Sequence, residues 1–174
     1  MRVGLIGLGK IGEGIARRMV NKGYEVWGYR NNYEKACEQY EKGYISGCTT
    51  NMESLAQMIH NYKNISDKKP GIFMVAVSPE NVEETFDDLL RVCREGDIII
   101  NYGNSNIEDY WKREEHAAKF GVAYLDCDVD CNICDVDSGY NLMVRGGDTA
   151  IATCKGIFHT LGRWDYTAKH SSVI

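Results

Sequence analysis

Apolar residues along the chain switch repeatedly between two spacings. Val3, Leu5 and Ile6 form a short dense run, and Ile11, Ile15, Met19 and Val20 follow at helical intervals. A compact apolar run reads as a buried strand, and apolar residues three to four apart read as one face of an amphipathic helix. The unit recurs: residues 24–29, 44–46, 72–77, 97–101, 122–127 and 140–145 are expected as strands, and 10–22, 33–42, 51–61, 80–95, 107–120 and 149–161 as helices. On the helix at 80–95, Val82, Phe86, Leu89, Leu90 and Cys93 are expected to face inward. Gly23 stops the first helix, Asn51 or a neighbour caps the third, and Ser78-Pro79 ends the strand at 72–77. Residues 63–71 read as a polar loop, Gly146-Gly147 as a turn, and everything beyond 161 as a tail. Strict alternation without an internal repeat predicts one α/β domain over residues 1–174.

Where the first strand meets the first helix, Gly7, Gly9 and Gly12 give G-x-G-x-x-G. In that context Gly7 permits a tight turn, Gly9 lets a pyrophosphate reach the backbone, and Gly12 lets the helix pack close to the strand. Backbone N–H groups at the helix start then face the phosphates. The expected fold is therefore a doubly wound Rossmann-type domain with a mostly parallel sheet, and Gly7, Leu8, Gly9, Lys10, Ile11 and Gly12 are the candidate pyrophosphate site. About twenty residues on, Tyr29-Arg30-Asn31 ends the second strand, where the adenine ribose is read. An acid there suits the free 2′-hydroxyl of NAD and a cation suits a 2′-phosphate, so Arg30 favours NADP over NAD. A solvated surface arginine is the alternative. Val77 and Ser78, at the end of another strand, are expected along the inner edge of the same crevice.

Hydrophobic residues make up 44% and charged residues 26% of the 174, ordinary values for a globular protein with its own core. A net charge of -5 argues against nucleic acid as the main partner. No apolar run is long enough to span a membrane, and the N-terminus leads directly into the first strand, so no leader and a cytoplasmic location are expected. Seven cysteines are an odd number, and Cys37, Cys93 and Cys154 lie on predicted helices as small apolar residues, so reduced thiols are expected. Residues 126–137 combine five aspartates with Cys127, Cys131 and Cys134. The C-x3-C-x2-C spacing suits an iron–sulfur cluster, or zinc with Asp128 or Asp135 as a further ligand. Asp126, Asp128, Asp130, Asn132 and Asp137 also match a degenerate calcium loop, although Cys131 replaces its glycine. Against these stands a solvated acidic loop with incidental thiols, the preferred reading, with no metal.

Taken together, Gly7 to Gly12, Tyr29-Arg30-Asn31, Asn101 to Ser105, Gly139-Tyr140-Asn141-Leu142-Met143 and Gly146-Gly147 resemble, in order and spacing, the N-terminal coenzyme domain of 6-phosphogluconate dehydrogenase, within the β-hydroxyacid dehydrogenase group. The resemblance implies that Asn104 lies by the nicotinamide and the substrate. It aligns the family's Ser-Gly-Gly substrate loop with Asp130, Cys131 and Asn132, and the aspartates around them would repel 6-phosphogluconate. Tyr102 replaces a family glycine and is expected beside Asn104. The family's catalytic lysine lies in a helix after this domain, before which the chain ends, and Lys169-His170 matches no family motif. The catalytic residue is left unassigned: a second subunit, another protein or His170 would supply it. The implied function is an NADP-dependent oxidoreductase, or its coenzyme-binding half, moving hydride to or from a small hydroxyl substrate. The alternative is a non-catalytic NADP(H) sensor or regulatory module. A half-enzyme would expose apolar residues near Trp164, Tyr166 and Val173, and would form a homo-oligomer or join a separate catalytic subunit.

Overall fold

The computed structural model describes residues 1–61, 69–135 and 138–168, of which 131–135 and 168 are described by backbone alone. The element order is β1 (Arg2–Ile6), α1 (Lys10–Asn21), β2 (Glu25–Tyr29), α2 (Tyr33–Glu41), β3 (Gly47–Thr49), α3 (Met52–His60), β4 (Ile72–Val75), α4 (Val82–Val92), β5 (Ile98–Asn101), α5 (Ile107–Ala118), β6 (Ala123–Asp135), β7 (Gly139–Gly146), α6 (Asp148–Leu161) and β8 (Gly162–Ala168). A single 3-10 turn, Pro79–Asn81, leads into α4. The strands form one sheet in the order β3-β2-β1-β4-β5-β6-β7-β8. The first six in sequence pair in parallel, β7 runs antiparallel to β6, and β8 returns parallel to β7. The order 3-2-1-4-5-6 is that of the dinucleotide-binding Rossmann fold, and its direction reverses between β1 and β4. A crevice therefore opens at the carboxyl ends of those two strands.

The central strands read as continuous apolar runs because both faces are covered. Leu5, Met74, Ile100 and Leu125 face one apolar layer with Ile15, Met19 and Phe158 from α1 and α6. Their strand neighbours Ile6, Phe73, Ile99 and Tyr124 face the other, with Leu55, Phe86 and Leu89 from α3 and α4. Successive residues of a strand point to opposite faces, so each strand serves both layers. On α4, Val82, Phe86, Leu89 and Leu90 are buried as expected, while Cys93 caps the helix and is half-buried. Asn32, Asn51 and Asn106 cap α2, α3 and α5 by accepting from backbone N–H groups three residues on.

Four expectations need correcting. The third strand lies at Gly47–Thr49 rather than 44–46, with Trp27 paired to Gly47. A Cβ at Gly47 would stand 2.7 Å from the Trp27 ring, so the indole fixes the register, a tertiary fact that a glycine conceals. Residues 123–135 form a strand where an acidic loop was expected from 126 onward. Asp126 to Asp130 pairs with Arg145 to Asn141, burying Cys127 and Val129 and leaving Asp128 and Asp130 on the opposite side. Asp-Cys-Asp-Val-Asp is in fact a period-two pattern, masked by its acidity. The tail contains β8: Trp164 is half-buried against Phe158 with ring centroids 5.3 Å apart, and only Tyr166 of the expected patch is exposed, Val173 lying outside the described residues.

Tyr102 is the fourth. It is fully enclosed in the core instead of flanking Asn104, and its hydroxyl has no hydrogen-bond partner among the described residues. Its backbone N–H donates to the Val75 carbonyl at 2.7 Å, prolonging β5, and its ring follows Ile98 and Ile100 into the same apolar layer. Burial, and then the Cys127 and Cys154 thiols, hold its phenol well above the ordinary value. No helix among the described residues is long and apolar enough to cross a membrane.

Two predictions follow from this packing. Tyr102→Phe removes a polar atom that was desolvated without compensation, and should raise the stability measured by urea unfolding by about 1 kcal/mol; a loss of that size would reveal a partner for the hydroxyl. Burial pushes the Cys93 and Cys154 thiols up to about 12, and Cys127 well above its ordinary value. All three are therefore protonated at pH 8, and iodoacetamide should label them only after unfolding, as read by peptide mass mapping.

Candidate coenzyme crevice and adjoining depression

After β1 the chain turns at Gly7, where φ is +89° and a Cβ would collide with the Ala76 carbonyl. The Gly7 N–H donates to the Tyr29 carbonyl at 3.2 Å, which ties the turn to the end of β2. Gly9 is the N-cap of α1, with extended backbone and no side-chain cap. A Cβ there would meet nothing within 4 Å, so it faces open space. At Gly12 a Cβ would strike the Gly7 carbonyl oxygen. The first turn of α1 therefore leaves its N–H groups directed at an open cradle, which fits a phosphate group.

The crevice in front of this turn measures about 430 Å³ and brings together Gly7, Leu8, Gly9, Tyr29, Arg30, Asn31, Val77 and Ser78. Four other expected coenzyme residues do not line it: Lys10 is exposed on the first helical turn, Ile11 is half-buried, Gly12 is buried beneath the turn, and Asn104 lines a neighbouring depression instead. Arg30 crosses the turn and donates from its guanidinium to the Leu8 carbonyl at 3.1 Å. Gln39, buried on α2, donates to the same carbonyl at 3.0 Å. The Tyr29 hydroxyl donates to Asn31 Oδ1 at 2.8 Å. From α4, Glu84 and Asp88 also reach this wall, which the sequence reading missed. Burial and then Asp88, Glu84 and Glu53 raise the Tyr29 phenol above its ordinary value.

A second depression of about 510 Å³ contains Asn104, Ser105, Asn106, Asp128, Asp130 and Asn141. It joins Asn104 to Asp130, as expected for substrate residues; the side chains of Cys131 and Asn132 lie outside the described residues. So do those of Cys134, Asp135 and Asp137, and His170. Asn104 adopts φ +44°, a left-handed conformation that asparagine tolerates better than most residues. The loop bearing it is held from below. Asn101 Nδ2 donates to Ser105 Oγ and to Asp126 Oδ1, both at 2.9 Å. Arg113 donates to Ser105 Oγ at 2.6 Å and pairs with Glu83. Arg145 reaches Asp126 Oδ2 at 3.4 Å. Burial raises the Asp126 carboxyl above its ordinary value, although Asn101 and Arg145 favour its ionised form. Arg113 could have been suspected: it lies on the same helical face as buried Tyr110 and Ala117, where a charged residue needs partners.

Comparison with known proteins places this geometry in a family. The model for the NAD binding domain of 6-phosphogluconate dehydrogenase matches residues 2–171. YqeC of Bacillus subtilis (strain 168), named for 6-phosphogluconate dehydrogenase, is 30% identical over 158 residues, covering 91% of this chain and 50% of that protein. The 6-phosphogluconate dehydrogenase of Haloferax volcanii, named as NAD(+)-dependent and decarboxylating, is 27% identical over 158 residues, 91% of this chain and 49% of its own length. The chain thus spans about half the length of these relatives. Among solved structures, the 3-hydroxyisobutyrate dehydrogenase of Mycobacterium tuberculosis superimposes with a TM-score of 0.77 at 15% identity, over 96% of this chain and 54% of that one, a likeness of fold. With the glycine turn, the strand order and the family match agreeing over almost the whole length, the chain belongs to the family of NAD-binding domains of 6-phosphogluconate dehydrogenase.

Proposed function

We propose that this chain is the NADP-binding part of a dehydrogenase that transfers hydride to or from a small hydroxyl substrate other than 6-phosphogluconate. The observation that carries the coenzyme choice is Arg30, held by the Leu8 carbonyl across the open glycine turn. Arg30 makes no ion pair with a carboxylate among the described residues. Its charge is therefore available to a 2′-phosphate, with Asn31 and Tyr29 beside it.

A nicotinamide dinucleotide in this crevice supplies hydride exchange with a substrate carbon. The chain's own residues have separate tasks. Gly7, Leu8 and Gly9, with the N–H groups at the start of α1, hold the pyrophosphate, and Lys10 adds positive charge on the first turn. Ile11 and Gly12 seat the helix that carries those groups. Val77 and Ser78 border the inner edge of the crevice. Asn104 orients the nicotinamide end, its loop fixed by Asn101, Ser105 and Arg113. Substrate binds in the depression shared by Asn104 and Asp130, with Cys131 and Asn132 continuing the same strand. Asp128 and Asp130 give that depression negative character, which disfavours a sugar phosphate and favours a neutral or cationic hydroxyl compound. The group that takes the hydroxyl proton comes from outside the described residues or from a partner.

Calorimetric titration of the full chain tests the binding step. Arg30→Asp should weaken NADP by about tenfold or more, the value of a lost charge-assisted contact, and leave NAD within about twofold. Equal losses for both dinucleotides would remove the 2′-phosphate assignment. Gly9→Val tests the cradle separately: with open space around that Cβ, the variant should unfold in urea within about 1 kcal/mol of the parent and bind either dinucleotide at least about tenfold more weakly. Unchanged affinity in the Gly9 variant would place the pyrophosphate elsewhere.

A further inference from the structure

The crevice carries charges that its glycine motif does not encode. Arg30 is the one cation on its wall among the described residues, and Glu84 and Asp88, one turn apart on α4, add two carboxylates to the same wall. These acids differ in how well they are compensated. Asp88 pairs with Arg91 at 2.7 Å. Glu84 has no ion-pair partner among the described residues and is exposed to the crevice. Their field reaches the end of β2, because both carboxylates, with Glu53 of α3, oppose ionisation of the Tyr29 phenol. That phenol holds Asn31 at 2.8 Å, next to Arg30. The ribose end of the crevice is thus faced by one fixed cation and by an acidic helix.

We propose that Glu84, assisted by Asp88, is a specificity-determining residue that limits the preference for NADP. Resting on the assignment of Arg30 to the 2′-phosphate, the proposal adds the opposing charge. A 2′-phosphate brings about two negative charges into the field of these carboxylates, whereas the 2′-hydroxyl of NAD is neutral. The acids therefore weaken NADP selectively, and the crevice takes both dinucleotides with a narrower margin than Arg30 alone would set. Asp88 acts on the Tyr29 phenol more strongly than Glu84, and Arg91, an exposed partner, offsets only part of its charge, so the two carboxylates act together.

Titration of the full chain, as the parent and as Glu84→Gln and Asp88→Asn, with NADP and with NAD at low and high salt, tests this. Glu84→Gln should tighten NADP by about fivefold at low salt and change NAD by less than about twofold. Asp88→Asn should give a gain of similar size, and both gains should shrink at high salt as the charges are screened. Parallel changes for the two dinucleotides, or unchanged NADP affinity in Glu84→Gln, overturn the role of Glu84 while leaving that of Arg30 standing. A parent that binds both dinucleotides equally, with Arg30→Asp altering neither, removes the Arg30 assignment and this proposal with it.

Discussion

The carboxyl edge of the sheet depends on how closely α1 approaches the turn after β1. Gly12 lies against the Gly7 carbonyl, and Gly7 lies against Ala76 at the end of β4, at separations that leave no room for a Cβ at either position. That double contact sets the helix axis relative to β1 and β4, the two strands between which the sheet reverses direction. The open space at Gly9 is its consequence: a helix seated this low presents its first N–H groups to the crevice instead of to a covering side chain. A methyl group at either glycine would lift the helix, and the cradle would be lost with it.

A second constraint operates across the sheet. Asn104 itself is exposed, yet the base of its loop is tied by Asn101, Ser105, Arg113, Asp126 and Arg145. These residues come from β5, the following loop, α5, β6 and β7, so no local segment could hold the loop alone. Asp126 is almost fully buried, and its partners offset part of the cost of burying a carboxylate. The antiparallel β6–β7 pair supplies both ends of the Asp126–Arg145 contact and also brings Asp128 and Asp130 beside Asn104. The negative charge of the depression and the anchoring of the loop therefore arise from the same strand pair.

Charge in the coenzyme crevice is a balance across separate elements. Arg30 belongs to the end of β2 and is immobilised by a carbonyl of the glycine turn, whereas Glu84 and Asp88 arrive from α4. A motif confined to β1 and β2 reports only the positive side of that balance.

Local regularities were enough to read the alternation of strands and helices, the glycine turn, the asparagine cap of α3 and the inward face of α4, because each depends on periodicity or on a backbone need that one residue type meets. The same regularities brought Gly7, Gly9, Tyr29, Arg30, Asn31, Val77 and Ser78 to one crevice, since β-strand ends in a parallel sheet share an edge. Three-dimensional packing alone decided the rest. Trp27 over Gly47 set the register of β3, pairing with β7 made a strand of residues that look like an acidic loop, and β8 emerged where a tail was expected. Tyr102 entered the core because pairing with β4 prolongs β5 by one residue and so puts its ring on the face of Ile98 and Ile100. Arg113 is marked by its place on the buried face of α5, but its partners, Ser105 and Glu83, are chosen by proximity in space, and sequence spacing carries no record of it.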